Sequence, residues 1–292
     1  MDSVAPTDDR AHDDTLALNT TDAQVRVCPG TGRLTSLRVG ADELLRPGDD
    51  GGCFPMAPWC GRLGGGVLRV DGREFEFPRD DPPHALHGTV RDHPWRVVEH
   101  TPDRVLLTQR LEGRWPWAGD VVQDIRLRSD AVELGMTVRS DAHPFPAQVG
   151  WHPWFRRRLA AGDGDLRVHA APAWQEERGD DYLPTGRRID PQPPPWDDCF
   201  GMPDGVDVRL EWPGRRSLRI RSDARWVVIF DHPVDAICVE PQTGPPNGLA
   251  TAPRTVRPGD PVTASTVWSW GPPDGAGAAS QVPAQSSPLR LP

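Results

Sequence analysis

Thirty-four prolines run through the chain, and each one placed inside a helix would remove a backbone hydrogen bond and clash with the preceding turn. Long helices are therefore disfavoured. Between the prolines, apolar residues recur at alternate positions in runs bounded by Ser-Asp, Pro-Gly or Gly-Asp pairs. Strands are expected at 105–111, 121–127, 132–138, 166–169, 206–212, 218–220, 226–230, 237–239 and 262–270. The clearest hairpin is Val67-Leu68-Arg69-Val70, Asp71-Gly72, then Arg73-Glu74-Phe75-Glu76-Phe77, because Asp-Gly suits the positive dihedrals of a type I′ turn. The expected class is all-β, a large antiparallel β-sandwich with few or no helices. No blade-like or solenoid repeat is visible. Residues 180–195 are polar, end in a proline run, and are expected to form a long surface loop.

One sandwich can accommodate a chain of 292 residues. A single domain is expected over 15–271, flanked by disordered ends at 1–14 and 272–292, where too few large apolar side chains occur to offset ordering entropy. The formal net charge is -9, and all 33 basic residues are arginine. Nucleic acid and anionic membranes are poor partners for such a chain, since both need a positive field. Without lysine there is no Schiff-base chemistry and no lysine-dependent phosphate loop. No stretch approaches the roughly twenty apolar residues of a membrane span, and the acidic start is not a secretory signal. Five cysteines, an odd set with no C-x2-C pair, read as reduced thiols in a cytoplasmic protein.

Several segments carry candidate chemistry. His87, followed by Gly88 and with Trp95 nearby, lies where backbone or ligand can approach an imidazole closely; a structural loop histidine is the alternative. His152 lies among Trp151, Trp154 and Phe155, a setting that disfavours the imidazolium and brings proton transfer near neutrality within reach. The alternative there is a core histidine satisfied by a carbonyl. Glu240 follows the apolar run Ala236-Ile237-Cys238-Val239 and is expected at a strand exit, held by a rigid element and suited to a general base or simply solvated. Arg62, in a glycine-rich loop, offers a planar fork of donors. Asp197, in Trp196-Asp197-Asp198-Cys199-Phe200, could accept two vicinal hydroxyls or lie in an acidic surface turn.

Taken in order, these segments resemble one family. Gly61-Arg62-Leu63 leading into VDGREFEFP, HALHG before Pro94-Trp95, GWHPWF, WDDCF and VEPQTGPPNG are similar to the successive motifs of the aldose 1-epimerases, or galactose mutarotases, from about Arg62 to Asn247. The resemblance implies a large antiparallel β-sandwich, no cofactor or metal, and interconversion of the α and β anomers of free hexoses. It implies Glu240 as base, His152 as acid, His87 as a second histidine at the ring, and Arg62, Asp197 and Trp154 as sugar-binding residues. Members often carry Asn where this chain has Gly61, which removes an amide from the site. The small-molecule partner would be a sugar. Rival readings are a hexose-6-phosphate 1-epimerase, with Arg33, Arg91 or Arg114 meeting the phosphate, a non-catalytic carbohydrate-binding protein of the same fold, and a metal enzyme using His84, His87 and His93. The motifs supply Arg62 as one firm cation against the negative charge of Asp197, Asp198 and Glu240, so unphosphorylated sugar is the expected substrate, with Arg91 the residue that could turn inward against it.

Overall fold

The computed structural model describes residues 15–273. Its larger sheet has eleven strands, in the spatial order Leu16–Asn19, Ala23–Cys28, Arg33–Val39, Cys53–Met56, Gly150–Arg156, Ala236–Gln242, Trp226–Phe230, Asp197–Gly201, Trp174–Arg178 and Pro184–Ile189, with Asp42–Glu43 paired to the third. A second sheet of eight strands runs Arg96–Thr101, Arg104–Arg110, Gly119–Leu127, Ala131–Ser140, Val262–Gly271, Arg216–Ser222, Val206–Trp212 and Arg167–Ala170. All pairings within both are antiparallel. The four-residue Gly248–Thr251 is the only α-helix among the described residues. The ends expected to be disordered, 1–14 and 272–292, lie outside the described residues apart from Pro272 and Pro273.

Alternation builds the second sheet as anticipated. Val206, Val208, Leu210 and Trp212 turn inward while Asp207 is exposed between them. The two sheets meet through large side chains: the rings of Phe155 and Trp268 are edge to face at 5.3 Å, and the Trp212 indole donates to the Arg156 carbonyl at 2.8 Å. The expected hairpin is present, with Val70 opposite Arg73 and positive φ at Asp71 and Gly72.

Two expectations need correction. Residues 180–195 are not one long loop, because Pro184–Ile189 pairs with Trp174–Arg178 as the last strand of the larger sheet. An edge strand solvated on both faces has no apolar alternation to reveal it, and this one is largely exposed. Glu240 does not sit at a strand exit either: Ala236–Gln242 continues through it and is buried at every position.

That central strand explains where a site can form. Its odd residues, Ile237 and Val239, join the core between the sheets, so the pleat sends Cys238, Glu240 and Gln242 to the other face. The neighbouring Gly150–Arg156 does the same, with Trp151 and Phe155 inward and Trp154 in a separate cluster with Phe54, Met56 and Cys60. The centre of the larger sheet is thus covered on both sides.

Candidate active site

A pocket of about 630 Å3 lies on that second face. Strand register assembles its floor. Gly150 pairs with Gln242 and Trp154 with Cys238, which puts His152 opposite Glu240, while His152 also pairs with Phe54 on its other side. The His152 Nε2 to Glu240 Oε1 distance is 3.0 Å. Both side chains are almost wholly buried, at 6% and 2% exposure. Gln242, two residues on and on the same face, donates from Nε2 to the other carboxyl oxygen of Glu240 at 3.3 Å.

Aromatic rings fix the imidazole. Phe54 stacks on His152 at 4.5 Å and Trp154 at 5.1 Å, so its plane is clamped and its Nε2 stays directed at the carboxyl. His87 arrives on a loop rather than a strand, its ring edge-on to His152 at 5.0 Å. The Gly61 amide donates to His87 Nδ1 at 3.3 Å, which leaves the ring hydrogen on Nε2 and makes His87 a fixed donor. Gly61 has φ +64, and a Cβ there would press on Pro246 at 3.0 to 3.2 Å. Its contribution is therefore a backbone amide that orients the histidine, in a place with little room for a side chain.

Burial governs the electrostatics. Desolvation, reinforced by Asp197, pushes the Glu240 carboxyl well above its usual range despite Arg62 and Gln242. Desolvation, with a contribution from Arg91, Arg33 and Arg46, holds His152 down to about 3, and burial likewise lowers His87. The uncharged forms of both partners are favoured, so the touching pair holds a single proton between them.

All six residues singled out in the sequence line this pocket: Arg62, His87, His152, Trp154, Asp197 and Glu240. Arg62 is tied by Nε to Asp81 Oδ2 at 2.7 Å, and Asp197 by Oδ2 to Arg178 Nη1 at 2.7 Å. Sequence reading missed Arg178 and Tyr182, whose ring lies 4.9 Å from the Arg62 guanidinium and 5.0 Å from that of Arg178; both come from the unrecognised edge hairpin. Gln242 was recoverable, since a residue two beyond Glu240 in a strand shares its face. Arg62 is joined in the lining by Arg33 and Arg91, two of the three arginines named for a phosphate, and by Arg46 and Arg178, which were not, all facing six carboxyl groups. Arg114, the third, does not line it.

His84, offered as a metal ligand with His87 and His93, is engaged otherwise: its Nδ1 accepts from the Gly65 amide at 3.1 Å and its Nε2 lies 2.8 Å from the Asp181 carbonyl. Among the described residues, His152, Cys238 and Glu240 form the group whose donor atoms, within 4.8 Å of one another, are close enough to hold a metal ion. Burial raises the Cys238 thiol well above its usual range, so metal binding there would first have to displace a costly proton.

A profile of the family described as aldose 1-epimerase matches residues 16–267. No curated protein matches significantly. Solved structures do: a putative aldose 1-epimerase from Escherichia coli K12 superposes with a TM-score of 0.78 at 21% identity, covering 88% of this chain and 99% of that one. A galactose mutarotase-like protein from Clostridium acetobutylicum gives 0.79 at 15% identity, covering 88% and 94%. The galactose 1-epimerase from Lactobacillus acidophilus NCFM gives 0.73 at 15%, again covering 88% and 94%. Among the described residues, no helix is long and apolar enough to cross a membrane.

Proposed function

We propose that this chain, which belongs to the aldose 1-epimerase family, interconverts the α and β anomers of a free hexose by acid/base ring opening. The observation that carries this reading is the buried contact of 3.0 Å between His152 Nε2 and Glu240 Oε1 at the floor of a sugar-sized pocket. Opening a cyclic hemiacetal needs one group to take the proton from the anomeric hydroxyl and another to protonate the ring oxygen. Glu240 takes that proton as the O1–H electron pair becomes the new C=O bond. The C1–O5 bond breaks, and its pair accepts the proton of His152. Rotation about C1–C2 presents the other carbonyl face, and closure reverses both transfers. The resting pair is carboxylic acid and imidazole. A shift of its one proton across the 3.0 Å contact gives the reactive carboxylate and imidazolium, and ring opening returns the uncharged forms, so the pair never needs to exchange protons with solvent.

The other side chains position the ring. His87 donates a fixed N–H, Trp154 offers an apolar face, and Arg62 and Asp197 meet hydroxyls as donor and acceptor. A binding protein without turnover would have no use for a carboxyl and an imidazole buried against each other, since each is costly to desolvate. Polarimetry or NMR of freshly dissolved α-glucose and α-galactose, with and without protein, tests the reading. Equilibration no faster than the buffer blank would refute it.

The shared proton sets the pH dependence. Activity requires the pair to carry one proton, and it is lost when the pair gains a second or gives up the first. Since His152 is held near 3, kcat/KM is expected to persist as pH falls through 6.5 and to decline only toward that lower value. The alkaline decline should lie well above 4.5, the ordinary carboxyl value. An acid limb centred at 6.5 would show that His152 titrates as a solvated imidazole.

A second reading has one specific observation behind it. Arg33 and Arg91 approach the Phe54 ring at 5.2 and 5.7 Å, and Arg46 lies over Trp154 at 4.0 Å, an arrangement able to meet a sugar phosphate. Most of that charge is already answered: Arg91 pairs with Asp80 and Asp92, and Arg46 with Asp235. Six carboxyls against five guanidiniums leave the lining no excess of positive charge, and repulsion between phosphate and one carboxylate at about 6 Å is on the order of 3 kcal/mol at an effective dielectric of about 20. Free sugar is the expected preference when kcat/KM is compared for galactose, glucose and glucose 6-phosphate. A preference of about tenfold, or 1.4 kcal/mol, for the phosphorylated sugar would reverse the assignment.

A further inference from the structure

Five guanidiniums line the pocket over Glu240, and four of them are held by carboxylates: Arg62 by Asp81, Arg91 by Asp80 and Asp92, Arg46 by Asp235 and Arg178 by Asp197. Arg33 differs. Among the described residues no carboxyl group lies within ion-pair distance of it, and its one hydrogen bond runs from Nη1 to the Gly51 carbonyl. Nε and Nη2 have no partner among the described residues, yet neither is sealed from solvent. The fold builds this placement. Arg33 opens the strand Arg33–Val39, whose Leu34 pairs with Cys53, and its stem lies by Gly52, where a Cβ would come within 3.3 Å of Arg33 Cδ. Burial lowers the guanidinium from its usual value, and Cys53, Asp92 and Asp50 offset that only from a distance. A half-buried cation whose spare donors stay accessible in a pocket is available to a ligand.

Position and charge narrow what it can meet. The guanidinium carbon lies 5.2 Å from the Phe54 ring, which stacks on His152 at 4.5 Å, so guanidinium and imidazole are no further apart than those two spans laid end to end. A pyranose whose ring oxygen faces His152 carries C6 on the next carbon, which places the C6 oxygen three bonds from that ring oxygen and within reach of this interval. Asp50 and Asp92, close enough to act on the charge of Arg33, line the pocket with it. A hydroxyl suits this set, since its oxygen accepts from the guanidinium while its hydrogen donates to a carboxylate. A carboxylate or phosphate at C6 would use the first and be repelled by the second. We propose that Arg33 is the specificity-determining residue for C6 of the substrate, donating to the C6 hydroxyl of a neutral hexose. The inference rests on the reading of this pocket as a sugar site and extends it beyond the groups that move protons.

The test is calorimetric binding of glucose, 6-deoxyglucose and glucuronate to the full chain, with anomerisation of the same sugars followed separately by NMR. Wild-type protein is expected to bind glucose about ten- to a hundredfold more tightly than 6-deoxyglucose, the worth of a hydrogen bond to a charged donor, and to bind glucuronate more weakly than glucose. Arg33→Met, which keeps an unbranched stem beside Gly52, should erase the difference between glucose and 6-deoxyglucose. If its melting transition shows that it does not fold, Arg33→Lys takes its place, with the difference reduced. A general loss of structure would weaken both sugars alike, whereas loss of this contact weakens glucose alone. Binding is read without turnover, so a protein that prefers glucose to 6-deoxyglucose but does not speed anomerisation refutes the proposed reaction and leaves the role of Arg33 standing. That role is overturned if the wild type binds the two sugars equally or not at all, if the preference survives undiminished when Arg33 is replaced, or if glucuronate binds more tightly than glucose.

Discussion

Glu240→Gln should leave the fold and sugar binding in place and lower turnover by about 10²-fold or more, the usual contribution of a positioned base. The amide has nearly the volume and shape of the carboxyl, and it keeps a group able to meet both His152 Nε2 and Gln242 Nε2. It cannot accept the anomeric proton. His152→Ala is expected to cost kcat on a similar scale, part of it through the space left beside Phe54 and Trp154, both of which stack on the ring. Because the two act on one proton, the double variant should fall little further than the worse single one. Anomerisation rates from saturation-transfer NMR, with near-ultraviolet circular dichroism to establish the fold, decide the matter. A wild-type rate in a folded Glu240→Gln protein removes Glu240 from the mechanism, and strictly additive losses would mean that the residues act independently.

Gly88→Ala should be severe for a different reason. Gly88 has φ +80, and a Cβ there would lie 1.9 Å from the Ala57 carbonyl oxygen and 2.4 Å from its carbon. That obstacle is backbone in contact with the core, so one of the two segments must move. A loss of about 3 kcal/mol or more is expected, from left-handed strain of about 1 to 2 kcal/mol together with overpacking. His87 immediately precedes it and depends on the same loop, so kcat should fall as well. Gly72→Ala separates the causes. Gly72 has a comparable φ of +74 with nothing within 4 Å, and its replacement should cost only the strain. Equal shifts in the urea midpoints of the two variants would show that the close approach to Ala57 is not what the chain requires at position 88.

Much of the second sheet could be read directly, because a strand with one face on the core and one in water must alternate, as 206–212 does. The central strands were harder. A segment buried on both faces, such as Ala236–Gln242, loses the alternation that marks its limits, so Glu240 looked like the last residue of a strand when it is interior to one. The edge strand Pro184–Ile189 fails in the opposite sense, being solvated enough that nothing apolar marks it, and with it went Arg178 and Tyr182. Gly61 could be seen as a departure from the family motif. Its part in orienting His87 could not, since that depends on a φ and on the proximity of Pro246.

Local chemistry in the chain is enough to specify strand against helix, through prolines and alternation, and to single out His87, His152 and Glu240 by their motifs. Long-range pairing specifies the rest. Whether His152 faces Glu240 depends on the register between two strands distant in the sequence, and a slip of one residue would turn the imidazole into the inter-sheet core. The same holds for the cations: Arg33, Arg46, Arg91 and Arg178 come from separate segments that carry no local mark of a common destination, and only the packing of loops over the sheet brings them to the pocket. A side chain's type is a property of its position in the chain, but its charge environment is a property of what folds against it.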